Sequence, residues 1–299
     1  MARRRKKSKA KGIATAVVVL IAVIAGLFFG KDAILGGLTD KPSDPVSGGE
    51  VQFHFIDVGQ GDAALIRTEK GDILIDAGTN SSEDELKAYL DRLGVTDIEY
   101  AVFTHPHEDH IGGADMILNT YNVKNVILPD ATSTSKTFER MMDAIEAEGC
   151  AVIEATPDLV FTVGELTCTV LAPISEKYNE TNNYSVVIRA DYGETSVLFT
   201  GDAEVDSEAE MLTRYRLKGM LDCDILKSGH HGSDTSSGQE FLDAVTPVFA
   251  VISVGEGNTY DHPKQVTLTK YEAMGMIIYR TDKEGSIVFT TTGGEPTKK

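Results

Sequence analysis

Ten residues constrain this chain more than any others: THPHEDHIGG, residues 104–113. Three of the seven histidines and an aspartate fall within six positions there. The stretch follows a strand-like run, IEYAVFT, and leads into a helix-like one, IGGADMILNTY, so it reads as a loop at the C-terminal end of a strand. Catalytic and binding groups collect at that edge of a sheet. In an extended loop His105 and His107, two apart, point the same way, while Asp109 and His110 serve a second position. Imidazole and carboxylate are donors suited to zinc, manganese or iron. Two cations a few ångströms apart suit this arrangement better than one. Solvated loop histidines are the bland alternative, and a chain so sparing with histidine argues against it.

Any fold that carries such a loop must bring further donors to the same edge, and two more strand ends offer them. VLFTGDAE places Asp202 just after a strand, where a carboxylate can bridge two ions, and ILKSGHHGSDTS places His230 and His231 after another. Each signal is weak alone, because an aspartate at a strand end is usually a turn or cap residue. Three in succession are strong. Around them the chain alternates strand-like segments (VQFHFIDV, DAALIRT, DILIDAG, YSVVIRADYG, TSVLFTGD, DCDILKSG, PVFAVISVG, SIVFTTT) with helix-like ones. SSEDELKAYLDRLG has acids in its first turn and glycine at its end, as a helix does. Further helices are predicted from Glu204 to Arg216 and after Pro263. This is an α/β pattern.

The N-terminus differs in kind. Residues 1–11 hold seven Lys or Arg and no acid, and residues 12–30, GIATAVVVLIAVIAGLFFG, carry no charge. Nineteen such residues can cross a bilayer core of about 30 Å as a helix. The basic flank predicts a cytoplasmic N-terminus with everything after residue 30 outside. A cleaved signal peptide, giving a secreted product, is the rival reading. Residues 31–50 read as a flexible linker, 51–292 as one folded domain and 293–299 as a loose tail. Beyond residue 11 there remain 21 basic against 46 acidic residues, a net charge of −25. A broad basic face gripping polyphosphate is therefore excluded. Cys150, Cys168 and Cys223 have no metal spacing and are expected as free thiols. His54 alternates within the first strand and is expected to be structural.

Together the segments FIDVGQGDAALI, ILIDAG, THPHEDHIGG, NNYSVVIRADYG, SVLFTGDAE, LKSGHHGSDTS and TYDHP, spread from Phe55 to Pro263, resemble the metallo-β-lactamase superfamily. Within it they are most similar to the extracytoplasmic hydrolase domain of ComEC-type competence proteins and stand-alone relatives. The resemblance implies a four-layer αββα sandwich with two divalent ions, zinc or manganese, at one edge. It implies that His105 and His107 bind one ion and that Asp109, His110 and one of His230 and His231 bind the other, bridged by Asp202. Many superfamily members supply a third histidine just before the bridging aspartate. NETNNYSVVI has none, which leaves Asn182, Asn183 or Ser185 to fill the gap. Neutral oxygens bind zinc less well than imidazole, so the first position is expected to be the weaker or to prefer manganese. Asp57, Asp62 and Asp76 are expected to orient the ligating histidines, and Asp109 and His262 to take part in catalysis. Lys227, Ser228, Gly232, Ser233 and Thr235 are expected to bind a substrate phosphate.

The function implied is a membrane-anchored, extracytoplasmic phosphodiesterase acting on DNA, single-stranded in particular, during DNA uptake. With one hydrophobic span of its own, such a protein would need a separate channel protein as partner. Two alternatives stand: a phosphorylcholine-type phosphodiesterase on cell-wall polymers, and a non-catalytic module that handles DNA.

Overall fold

The computed structural model describes residue 46 and residues 48–299. The predicted basic segment 1–11, the anchor 12–30 and most of the linker lie outside the described residues. Among the described residues no helix is long and apolar enough to cross a membrane.

The first half of the chain builds one sheet. Its strands are β1 (Val51–Phe55), β2 (Ala64–Thr68), β3 (Gly71–Ile75), β4 (Asp97–Val102), β5 (Asn122–Val123), β6 (Asn125–Leu128) and β7 (Ala151–Glu154). The second half builds another from β8 (Val160–Val163), β9 (Leu166–Ala172), β10 (Val187–Tyr192), β11 (Thr195–Phe199), β12 (Ile225–Lys227), β13 (Phe249–Ile252) and β14 (Ile277–Arg280). Then β15 (Ile287–Thr291) and β16 (Thr297–Lys298) return to the first sheet, whose order is β16-β15-β1-β2-β3-β4-β6-β7, with β5 beside β4. The second sheet runs β14-β13-β12-β11-β10-β9-β8. Helices α1 (Glu83–Arg92), α2 (Glu108–Ile111), α3 (Ala114–Thr120) and α4 (Lys136–Glu148) connect strands of the first sheet. In the second, α5 (Val205–Tyr215), α6 (Gln239–Val245) and α7 (Gln265–Ala273) play that part, and the short α8 (Thr281–Glu284) precedes β15.

Successive side chains of a strand point to opposite faces, and here both faces are covered, so Val51–Phe55 and Thr195–Phe199 are buried throughout. Phe53, Phe55, Ile66, Ile73 and Ile75 point between the sheets, meeting Ile188, Val197, Phe199 and Val251. Leu65 and Leu74, one position on, point outward to Leu86, Leu90, Ile117 and Met141 of the helices. Leu198 and Leu226 face Met211, Leu242 and Tyr271 in the same way. Phe55 stacks on Phe199 across the sandwich, with ring centroids 5.6 Å apart. Burial of an apolar side chain this large contributes about 1.5–3 kcal/mol. Two sheets, each with an apolar outer face, require helices on both sides, which gives the four layers.

One expectation is corrected here. The tail is not loose: Thr297 and Lys298 pair antiparallel with Thr290 and Phe289, and Lys299 N donates to Val288 O. The turn at Gly293 and Gly294 lets the chain fold back and cover the β15 edge, leaving fewer unpaired edge groups. His54 is buried between Tyr89 Oη and Gln52 Oε1, at 2.9 and 3.0 Å, and burial depresses its pKa to about 3. Cys168 and Cys223 are buried free thiols and Cys150 is half-buried.

Strand direction places the loops. β3 and β4 are parallel, β2 is antiparallel to β1 and to β3, and β11, β12 and β13 are mutually parallel. The loops after β1, β3, β4, β11, β12 and β13 therefore emerge at one edge, where backbone bonds stitch them together. Asp62 N donates to Asp109 O (3.0 Å), Ala77 N to His110 O (2.7 Å) and Gly112 N to Gly78 O (2.7 Å). A Cβ on Gly112 would lie 2.2 Å from Asn80 N and from the carbonyl carbon of Thr79. Only glycine permits that approach.

Candidate metal centre

Asp202 Oδ2 is the geometric centre of the edge. It lies 3.2 Å from His110 Nε2, 3.6 Å from His231 Nε2, 3.7 Å from His230 Nε2 and 4.0 Å from His105 Nε2. His231 Nε2 is also 3.3 Å from Asp109 Oδ2, and His105 Nε2 is 2.9 Å from His107 Nδ1. Donors that share one tetrahedral ion at zinc–nitrogen distances sit about 3.3 Å apart. Among the described residues Asp109, His110, Asp202 and His231 form one group whose donor atoms all lie within 4.8 Å of one another.

Two observations test whether these residues fit divalent cations. His110 Nε2, His231 Nε2 and Asp202 Oδ1 are buried without any hydrogen-bond partner. Buried polar atoms are seldom left so, and the two nitrogens converge on Asp202 Oδ2. Second, the far nitrogens are already committed. His231 Nδ1 lies 2.9 Å from Ser253 O, which can only accept, so Nδ1 carries a proton and Nε2 is the nitrogen left to face Asp202. His110 Nδ1 lies 2.8 Å from Asp76 Oδ2, with the same result. Asp76 is itself fixed by Thr104, which donates through N (2.7 Å) and Oγ1 (2.8 Å). The set fits.

Charge agrees. Burial and the neighbouring His110 hold His105 well below its usual pKa. Burial also disfavours the charged form of His231, yet Asp202 and Asp62 lift it to about 10. For Asp62 burial is overridden by the Lys227 ammonium and His231, which keep its carboxyl at about 2. A field of carboxylates that stabilises imidazolium stabilises a bound cation by the same Coulomb attraction.

The turn carrying the histidine pair is strained. His230 and His231 both have left-handed backbone (φ 48° and 52°), and Gly232 follows at φ 81°. Each such non-glycine residue costs on the order of 1–3 kcal/mol. That conformation sets the two adjacent rings 6.1 Å apart and 65° to one another, each with Nε2 within 3.7 Å of Asp202 Oδ2. His231 enters the buried group, whereas His230 stays partly exposed, with Nδ1 2.9 Å from Thr235 Oγ1 and 3.4 Å from Glu204 Oε1. His107, Asp109, Asn182, Asp202, His230, His231, Tyr260 and His262 line an open cleft of about 560 Å³.

Several sequence expectations are corrected by what the side chains touch. Asp57 orients no histidine: it is exposed and its Oδ1 accepts from Gly59 N (3.1 Å), closing a turn. Asn183 Oδ1 accepts from Glu204 N and Ser207 N (3.1 and 3.2 Å), so it holds the start of α5. Ser228 is buried, its Oγ bonded to Tyr271 Oη (2.7 Å), and it is not among the residues lining the cleft. Lys227 is buried too, paired with Asp62 and donating to Gly201 O (3.3 Å). Ser233 Oγ bonds Thr235 Oγ1 (3.0 Å), and Gly232 packs on Pro263. Asn182 and Ser185 stay beside the histidines. Asn182 Oδ1 is buried without a partner, and Ser185 Oγ lies 3.3 Å from His105 Nδ1 while accepting from Asp202 N (3.1 Å). Thr104 and Ser253 were not anticipated. Thr104 directly precedes the histidine motif and could have been suspected, but Ser253 acts through its carbonyl, which leaves no trace in sequence.

Asn183→Ala is expected to lower stability by about 1 kcal/mol, the value of a lost helix cap, with metal content per chain as in the parent protein. Thermal unfolding beside mass-spectrometric metal analysis checks this. Loss of one ion per chain would instead put Asn183 among the donors.

Residues 56–256 match the family described as the metallo-beta-lactamase superfamily. The chain belongs to that superfamily. Its relatives include ComE operon protein 3 of Bacillus subtilis, 30% identical over 82% of this chain and 34% of that protein. Competence protein ComA of Neisseria gonorrhoeae is 29% identical over 93% of this chain and 38% of its own length. These are competence-related proteins of the ComEC-like branch that the motifs resemble, and the chain spans about a third of their length. The metallo-beta-lactamase fold protein YhfI from Bacillus subtilis shares the fold, with a TM-score of 0.53 at 14% identity, covering 81% of this chain and all of that one. The two-sheet sandwich expected from the motifs is the one observed. Membership in the superfamily supports a metal-dependent hydrolase.

Proposed function

We propose that this member of the superfamily is a phosphodiesterase that cuts DNA at the outer face of the cell membrane during DNA uptake, held there by residues 12–30. The observation that carries the catalytic part is the convergence of orphaned donor atoms on Asp202 Oδ2. Asp109, His110, His231 and Asp202 would hold one divalent ion, zinc or manganese. His105 and His107 would hold the other, with Asp202 shared and Asn182 Oδ1 available to it. Bound ions supply Lewis acidity and make hydroxide accessible near neutral pH.

The chain's own residues do the rest. Asp76 and Ser253 O hold the protons of His110 and His231 on the nitrogens facing away from the cleft. Ser185 ties the Asp202 backbone to His105. His262, in the cleft wall with its ring 5.5 Å from that of His230 and a buried Nδ1 without a partner, is placed to meet a substrate oxygen. The surroundings are acidic, so affinity for a polyanion would come from the ions and near contacts instead of a wide basic surface. Kinship with competence-related proteins is what favours DNA as the substrate in this reading, and a separate channel protein as partner belongs to the same proposal.

The test is a screen of residues 45–299 with added zinc or manganese against single-stranded DNA, bis(p-nitrophenyl) phosphate, phosphorylcholine esters and nitrocefin. Hydrolysis of the first two is expected. Cleavage of phosphorylcholine esters alone would turn the reading to cell-wall polymers, and metal binding without turnover on any substrate to a DNA-handling module. For topology, protease added to intact cells is expected to digest the domain. Protection until the membrane is lysed would reverse the orientation.

A further inference from the structure

At the mouth of the metal cleft stands a ring that no ligand set explains. Tyr260 is 60% exposed, lines the cleft, and lies nearly parallel to His262, with centroids 5.8 Å apart and planes 26° apart. That is an offset stack. Exposed tyrosines are ordinary, but this one is held still. Asn258 organises its loop: its Nδ2 donates to Gly255 O (3.0 Å) and His262 O (2.7 Å), and its Oδ1 accepts from Tyr260 N (3.2 Å) and His262 N (3.0 Å). Lys264 Nζ caps Tyr260 O at 2.8 Å, and Lys264 N donates to Gly232 O (2.9 Å), which fastens the loop to the turn of the histidine pair. Asp261 between the two rings takes a left-handed backbone, φ 59°, a conformation that aspartate tolerates better than most residues and that tightens the turn. The fold thus spends constraint on presenting an aromatic face to water beside the candidate metal centre.

We propose that Tyr260 is a stacking platform that receives an unpaired planar ring next to the scissile phosphodiester, so that the site selects single-stranded nucleic acid by base stacking without reading sequence. The inference rests on the phosphodiesterase reading and names its substrate-recognition element. Stacking on a ring carried by a pinned loop and already packed on His262 costs less ordering entropy on the protein side. It also supplies affinity that a domain with a net charge of −25 beyond residue 11 cannot draw from a basic surface. Every base has a π-face, so the preference is for unpaired bases of any identity. A duplex keeps its bases stacked on one another and offers the platform nothing. A choline headgroup would need several rings around its cation, and among the described residues Tyr260 is the one Phe, Tyr or Trp ring that lines the cleft.

The experiment compares two single-stranded oligonucleotides of equal length, one normal and one with abasic residues throughout its central segment. Binding is read by fluorescence anisotropy and hydrolysis as separate kcat and KM. The parent protein is expected to bind the normal strand about tenfold more tightly than the abasic one, the size of one base–aromatic stack, with the difference in KM. Tyr260→Phe is expected to keep that ratio and Tyr260→Ala to bring it close to one. Equal binding of the two strands by the parent, or an unchanged ratio in Tyr260→Ala, overturns the platform. If the parent discriminates in binding but hydrolyses neither strand, the platform stands and the phosphodiesterase reading fails. If Tyr260→Ala instead loses binding of phosphorylcholine esters with no change toward the strands, the ring serves a cation and the proposal is wrong.

Discussion

Asp202→Ala is expected to empty both metal positions and to lower hydrolysis by about 10³-fold or more, the scale of lost metal activation. One oxygen of this carboxylate lies within 4.0 Å of four imidazole nitrogens. Its side chain is buried, so no solvent can substitute for it at low energetic cost. His105→Ala should do less: about one ion per chain remains and the rate falls by about 10²-fold, because the Asp109, His110 and His231 set is untouched. Metal content by mass spectrometry, read beside the phosphodiesterase rate for both variants, checks the pair. Full activity of Asp202→Ala with any added metal would end the shared-carboxylate scheme.

The second large effect is on stability. Lys227→Met is expected to destabilise the domain by about 3–5 kcal/mol, the loss typical when one partner of a buried ion pair is removed. The two side chains are 4% and 8% exposed, and without Lys227 the buried Asp62 carboxylate would face Asp76 with only the histidine rings of His231 and His110 nearby. Urea unfolding measures the change. The double variant Lys227→Met with Asp62→Asn should recover much of the loss, since no unpaired charge is then buried. A single variant as stable as the parent would show that the pair is not what holds the loops after β1 and β12 together.

Much of the catalytic edge was legible before any coordinates. The run H-x-H-x-D-H and the strand-end positions of Asp202 and the histidine pair pointed to the candidate donors that the fold brings together, because few side chains bind divalent cations well. The succession of strand-like and helix-like segments showed an α/β pattern, and the four layers followed from the resemblance of the motifs to the superfamily. The tail was misread because two strand residues after a glycine turn carry too little pattern to show pairing. Asn183, Ser228 and Lys227 look like phosphate-binding or metal-binding residues in sequence. Their polar atoms are instead used by α5, Tyr271 and Asp62.

By itself the sequence determined which chemical groups exist and at which strand ends they stand, since donor type and two-residue periodicity are local properties. Only the tertiary structure decided which member of each adjacent pair enters the centre. Neighbouring side chains diverge, and their directions depend on backbone angles that distant residues impose. His231 enters the buried group because its turn is forced into the left-handed region, clamped by Gly201 O on His230 N and by Ser253 O on its own ring. Asn182 keeps an open oxygen near the histidines while Asn183 does not, because α5 begins where Asn183 can hold its first amides.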